Sequence, residues 1–129
     1  MTSHPPDPVV LIVDDNDKNL RLARDVLRAA GFRTLDAASG AEAITVAGEH
    51  VPDLVLLDLR LPDMGGAEVA RELRDGARTR GIPIVALSAL RLTASSDELR
   101  AAGFAGYLEK PISVAEFPSQ VRAYCMRGA

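Results

Sequence analysis

The chain has 129 residues, 47% of them apolar and 26% charged, with a formal net charge of −3. That length fits one domain with its own core, and scattered basic residues under a small negative charge exclude a phosphate-tracking stripe and any general attraction to nucleic acid. No apolar stretch approaches the ~20 residues that cross a bilayer, residues 1–8 lack the pattern of a signal peptide, and a single cysteine, Cys125, excludes an internal disulfide and fits a reducing cytoplasm.

Taken in chain order, residues 1–7 read as a flexible, proline-bearing lead-in. The apolar run Val9 to Val13 predicts a first strand, buried on both faces. A first helix follows from about Asp17 to Ala30, with Leu20, Ala23, Val26, Leu27 and Ala30 on one face and Gly31 as its stop. Thr34 to Ala37 is the second strand. Gly40 to Gly48 is the second helix, with Ala43, Ile44 and Ala47 inward. Pro52-Asp53 leads into a third strand, Leu54 to Leu57. The third helix, Gly66 to Arg74, buries Val69, Ala70 and Leu73. Gly81-Ile82-Pro83 leads into a fourth strand, Ile84 to Leu87.

A fourth helix starts near Ser96, with Ser95 and Glu98 at capping-box spacing, and ends at Ala102 before Gly103. Gly106 to Leu108 is the fifth strand. Ser113 and Glu116 have the same box spacing ahead of the fifth helix. Pro118 conflicts with a helix starting there, because it removes a hydrogen bond and crowds the carbonyl of Val114. Either the first turn is distorted or the regular helix begins at Phe117. Strands alternating with amphipathic helices predict a doubly wound α/β sandwich of three layers. Right-handed crossovers give the flavodoxin-like parallel order 2-1-3-4-5. The domain is expected over residues 8–126, with a tail at 127–129.

Chemistry gathers at the strand ends. Asp14 and Asp15 close the first strand, and Asp58 closes the third. In open α/β sheets the carboxyl ends of the strands line the ligand crevice. Three acids in one crevice repel each other and resist desolvation, so a cation is the natural compensation, and an all-oxygen set suits Mg²⁺. A carboxylate beside such an ion can attack a phosphoryl group. Ser88 closes the fourth strand and Lys110 follows the fifth, so a hydroxyl and an ammonium can complete the surroundings of a phosphoryl group. Each residue also has a plainer reading. Asp14 and Asp15 could cap the first helix, although Asn16 and Asp17 could do so instead. Ser88 could be a turn residue, Lys110 a solvated surface group, and Tyr107 a half-buried residue of an edge strand. Cys125 reads as a small filler of the last helix.

Four stretches together resemble the receiver domain of bacterial two-component response regulators. They are Ile12-Val13-Asp14-Asp15-Asn16, Leu56-Leu57-Asp58-Leu59-Arg60-Leu61-Pro62, Ala86-Leu87-Ser88-Ala89 and Gly106-Tyr107-Leu108-Glu109-Lys110-Pro111. The resemblance implies that Asp58 is the phosphoacceptor, taking its phosphoryl group from a phosphohistidine on a histidine kinase or a histidine phosphotransfer protein. It implies that Asp15 binds Mg²⁺ directly, Asp14 largely through water, and that the backbone carbonyl of Arg60 joins Asp58 as a ligand. Lys110 and Ser88 would contact phosphoryl oxygens, and the Lys110–Pro111 peptide would be cis. Ser88 and Tyr107 would form the switch that alters the surface of the fourth helix, fifth strand and fifth helix for a downstream protein target.

The chain departs from the common receiver pattern at Arg60 and at Leu90, the expected modulators of phosphoryl-group lifetime. It also carries Gly65-Gly66 in place of an acid-glycine pair, which predicts a looser loop. The motifs look closest to stand-alone regulators of the cell-cycle or chemotaxis type, although a receiver cut from a longer protein would look the same. Two other functions compete with this one. A phosphatase of the haloacid-dehalogenase type needs a second acid where this chain has Arg60. A non-phosphorylated interaction module of the same fold would need a damaged site, whereas Asp14, Asp15, Asp58, Ser88 and Lys110 are all present.

Overall fold

Five parallel strands form one sheet: β1 (Val9–Val13), β2 (Arg33–Ala37), β3 (Leu54–Asp58), β4 (Ile84–Ser88) and β5 (Gly106–Glu109), in the order β2-β1-β3-β4-β5. They come from a computed structural model that describes residues 7–88, 100–110 and 112–127. The helices are α1 (Asp17–Ala29), α2 (Gly40–His50), α3 (Gly66–Asp75), α4 (described over residues 100–102) and α5 (Phe117–Arg127). The order is the flavodoxin-like one expected from the sequence. No helix among the described residues is long and apolar enough to cross a membrane.

Side chains of a strand alternate between faces, and here the alternation divides two cores. Leu11, Val13, Val55, Leu57, Ile84 and Ala86 join Ala43, Ala47, Val69, Ala70 and Leu73 under α2 and α3. Val10, Ile12, Leu54, Leu56, Val85 and Leu87 join Ala23, Leu27, Phe117 and Val121 under α1 and α5. The central strands are therefore apolar on both sides, which is why they read as unbroken hydrophobic runs.

The boundaries follow local chemistry. Asn16 caps α1, its side-chain oxygen accepting the Lys18 and Asn19 amides at 3.0 and 3.1 Å. Gly31, at φ +97°, turns the chain beyond it. Residues 114–116 form a turn and the regular helix α5 begins at Phe117, so the proline conflict resolves in favour of a later start. That helix continues to Arg127, one residue into the expected tail. Ser95, Ser96 and Glu98, the proposed start of α4, lie outside the described residues. The helix ends at 102, and Gly103 follows at φ +104°.

The second helix runs past its expected end at Gly48 to His50, and the chain turns at Val51 with φ 45°. Gly48 thus lies inside the helix, and a Cβ there would meet nothing within 4 Å. Glycine costs about 0.5–1 kcal/mol against alanine in a helix interior. Gly48→Ala should therefore raise stability by roughly that amount. Urea unfolding would show a higher midpoint at unchanged slope, and a lower midpoint would contradict a helical position 48.

Candidate active site

Strand register brings the polar residues to one rim. Val13 pairs with Leu57, so Asp14 and Asp58 are neighbours one step on. Both continue the even-numbered face that carries Val10, Ile12, Leu54 and Leu56. Ser88 pairs with Glu109, and Lys110 follows directly. From there the Lys110 side chain reaches across the end of β4. Its Nζ lies 2.6 Å from Asp14 Oδ2 and 3.3 Å from Asp58 Oδ2.

Each buried acid is aimed by an amide two residues on. Asp14 Oδ1 accepts the Asn16 N–H at 2.9 Å, and Asp58 Oδ1 accepts the Arg60 N–H at 3.0 Å. Short acidic side chains commonly turn the backbone this way. One oxygen of each carboxylate is thereby fixed by backbone and the other faces Lys110. Asp14 is 2% exposed and Asp58 7%, whereas Asp15 is exposed at the mouth of the cleft. Burial pushes the Asp58 carboxyl above the usual carboxylate range, against the pull of the Arg60 amide and of Lys110.

Asp14, Asp15 and Asp58 each offer a carboxylate oxygen, all within 4.8 Å of one another. Such a set suits a small hard cation that keeps some of its water. Capping does not compete for these acids, because Asn16 caps α1. Arg60 lines the same cleft with Asn16, Asn19 and Lys110, and its backbone bridges to Gly65. Among the described residues it makes no ion pair. Tyr107, in register with Ala86 on the edge strand β5, is 40% exposed. Leu90 and Pro111, and with it the Lys110–Pro111 peptide, lie outside the described residues.

The site has one structural partner that local sequence patterns miss. Asp63, in the β3–α3 loop, accepts the Gly40 amide at 2.8 Å and the Ala41 amide at 3.0 Å, at the start of α2. These bonds hold its carboxyl below the usual range. Its partners lie more than 20 residues earlier in the chain, beyond any capping pattern. Of the Gly65-Gly66 pair, a Cβ on Gly65 would meet nothing within 4 Å, whereas Gly66 is closely set. A Cβ on Gly66 would fall 2.6 Å from Leu59 Cδ2, so the loop closes on itself there.

This rim and sheet are those of a signalling receiver. The family model for the response regulator receiver domain matches residues 10–122, and the chain belongs to that family. It is 40% identical over 115 residues to the polar-differentiation response regulator DivK of Brucella ovis, covering 89% of this chain and 94% of that one. A putative response regulator from Chloroflexus aurantiacus superimposes with a TM-score of 0.86 at 31% identity, over 94% of this chain and 99% of that one. The receiver domain of a sensor histidine kinase from Pseudomonas aeruginosa, solved with a magnesium ion coordinated in its active-site cleft, does so at 0.83 and 32%. That match covers 93% of this chain and 98% of the other.

The raised Asp58 value has a consequence for stability. The ionised carboxylate costs stability above its folded-state value, and the cost fades as pH falls through that value toward the ordinary aspartate range. In metal-free protein at neutral pH, Asp58→Asn should raise the melting temperature. The gain should shrink in acid. Thermal melts of both proteins across the acidic range check this, and a gain that grows as pH falls would contradict it.

Proposed function

We propose that this protein is a phosphoryl-accepting switch that takes its phosphoryl group onto Asp58 from a phosphohistidine of a histidine kinase or histidine phosphotransfer protein. The observation that carries this reading is the convergence of Asp14, Asp58 and Lys110 within hydrogen-bond or ion-pair distance, beside the exposed Asp15. An Asp58 carboxylate oxygen attacks phosphorus, the donor's N–P bond breaks, and the imidazole keeps the electron pair. Asp58 becomes an acyl phosphate. Asp15, Asp58 and the Arg60 carbonyl would hold Mg²⁺, with Asp14 acting largely through water, and the ion when bound would neutralise charge on the phosphoryl oxygens. The magnesium in the Pseudomonas receiver supports that assignment.

Lys110 serves first as counter-ion to the two buried acids and then as partner of a phosphoryl oxygen. The Ser88 hydroxyl donates a hydrogen bond to another phosphoryl oxygen. Its shift lets the Tyr107 ring, exposed on the edge strand, turn inward and reshape the surface of α4, β5 and α5 for a downstream protein target. The resemblance to a polar-differentiation response regulator supports a role as a switch of that kind, and the single cysteine fits action in a reducing cytoplasm. Catalysis is thus confined to the protein's own phosphorylation and dephosphorylation, with no turnover of a separate substrate.

Incubation with a small acyl-phosphate donor and Mg²⁺ should add one phosphoryl group by mass spectrometry, and Asp58→Asn should stay unlabelled. Labelling of Asp58→Asn to the wild-type extent would overturn the assignment. Arg60 should modulate the lifetime of the product rather than its formation, because substitution keeps the backbone carbonyl and removes only the guanidinium beside the cleft. Arg60→Ala should be phosphorylated normally and lose the group faster. Unchanged decay, or failure to be phosphorylated, would count against this.

A further inference from the structure

The β3–α3 loop, residues 59–65, carries two backbone groups of the site: the Arg60 amide on Asp58 and the Arg60 carbonyl assigned to the metal. Its base is held by the Leu59 amide on the Leu87 carbonyl at 3.2 Å. Its neck is closed by the bridge between Arg60 and Gly65 and by the contact of Gly66 with Leu59. The far end projects outward at Pro62 and Asp63, which are exposed, between Leu61 and Met64, which pack against the core. Met64 approaches Gly40 so closely that a Cβ there would fall 2.6 Å from its Cγ. The Asp63 carboxylate supplies the polar fixing, with one oxygen on Gly40 N–H and the other on Ala41 N–H.

We propose that Asp63 is a positioning residue for the phosphoacceptor and metal site, clasping the β3–α3 loop to the first turn of α2 so that both backbone groups of Arg60 stay in place. The proposal rests on the reading of Arg60 as a metal ligand. The first amides of a helix lack intrahelical partners and attract negative charge, so the clasp satisfies both sides. Ser39 Oγ accepts the third such amide, that of Glu42, at 3.1 Å, a bond within the helix turn rather than to the loop. The helix turn therefore has two independent caps, of which only one also holds the site. An asparagine at 63 retains one acceptor oxygen and alanine retains none, so the effect should be graded.

The test compares Asp63→Ala, Asp63→Asn and Ser39→Ala with wild type. Its readouts are the Mg²⁺ dissociation constant and hydrogen exchange at the Arg60 amide in metal-free protein. Loss of an outer partner at a metal site commonly weakens binding about 10- to 100-fold, so Asp63→Ala should weaken Mg²⁺ binding by about tenfold. Its Arg60 amide should exchange faster, with Asp63→Asn between alanine and wild type. Ser39→Ala should lower the melting temperature while leaving both readouts near wild type. Unchanged Mg²⁺ affinity and Arg60 exchange in Asp63→Ala would overturn the clasp, as would equal effects from Ser39→Ala. Faster Arg60 exchange in a protein whose wild type binds no Mg²⁺ would overturn the metal reading while upholding the clasp.

Discussion

One ammonium spans the working rim of this protein. Lys110 starts beyond the edge strand β5, passes the end of β4, and sits between carboxylates rising from β3 and β1. Removing a charge from water costs several kcal/mol, and a buried pair recovers that only with good geometry and further hydrogen bonds. Here both acids also accept a backbone amide, which supplies those bonds. The cluster is still one positive group for two buried negative ones, with a third acid at the mouth. That excess of negative charge suits the divalent cation of the proposed function, and it depends on four strands ending in register.

The register comes from the sheet beneath. Central strands with apolar side chains on both faces can be covered only by helices on both sides, and the two cores divide those faces residue by residue. Fully burying one such side chain contributes roughly 1.5–3 kcal/mol, so a modest number of them outweighs the cost of charges gathered at the strand ends. Stability and chemistry are thus spatially separated, with apolar strand bodies below and charged ends above.

Much of this was legible in the sequence because its carriers are local. Runs such as Val9 to Val13 and Leu54 to Leu57 announce buried strands, and the acids that stop them announce the rim. Reading failed where the deciding contact is distant or where one residue type carries two meanings. Gly48 reads as a helix stop, yet the helix continues because tertiary packing of Ala43 and Ala47 holds it. Gly65-Gly66 reads as slack, and Gly65 does stand in open space, yet a Cβ on Gly66 would collide with Leu59. Asp63 reads as an ordinary loop acid, because its partners are amides of another element. The roles of Ser88 and Tyr107 rest on resemblance, since they concern a change of state rather than a static contact.

Gly106 opens β5 in the space beside Tyr124 of α5. The tyrosine hydroxyl and ring carbon Cζ occupy the volume that a Cβ at 106 would need. The constraint runs one way. A smaller side chain at 124 leaves Gly106 undisturbed, whereas a larger residue at 106 requires the tyrosine tip to move aside or a slimmer side chain to stand at 124. Divergence at this corner should therefore be ordered, with the change at 124 opening the way for the change at 106.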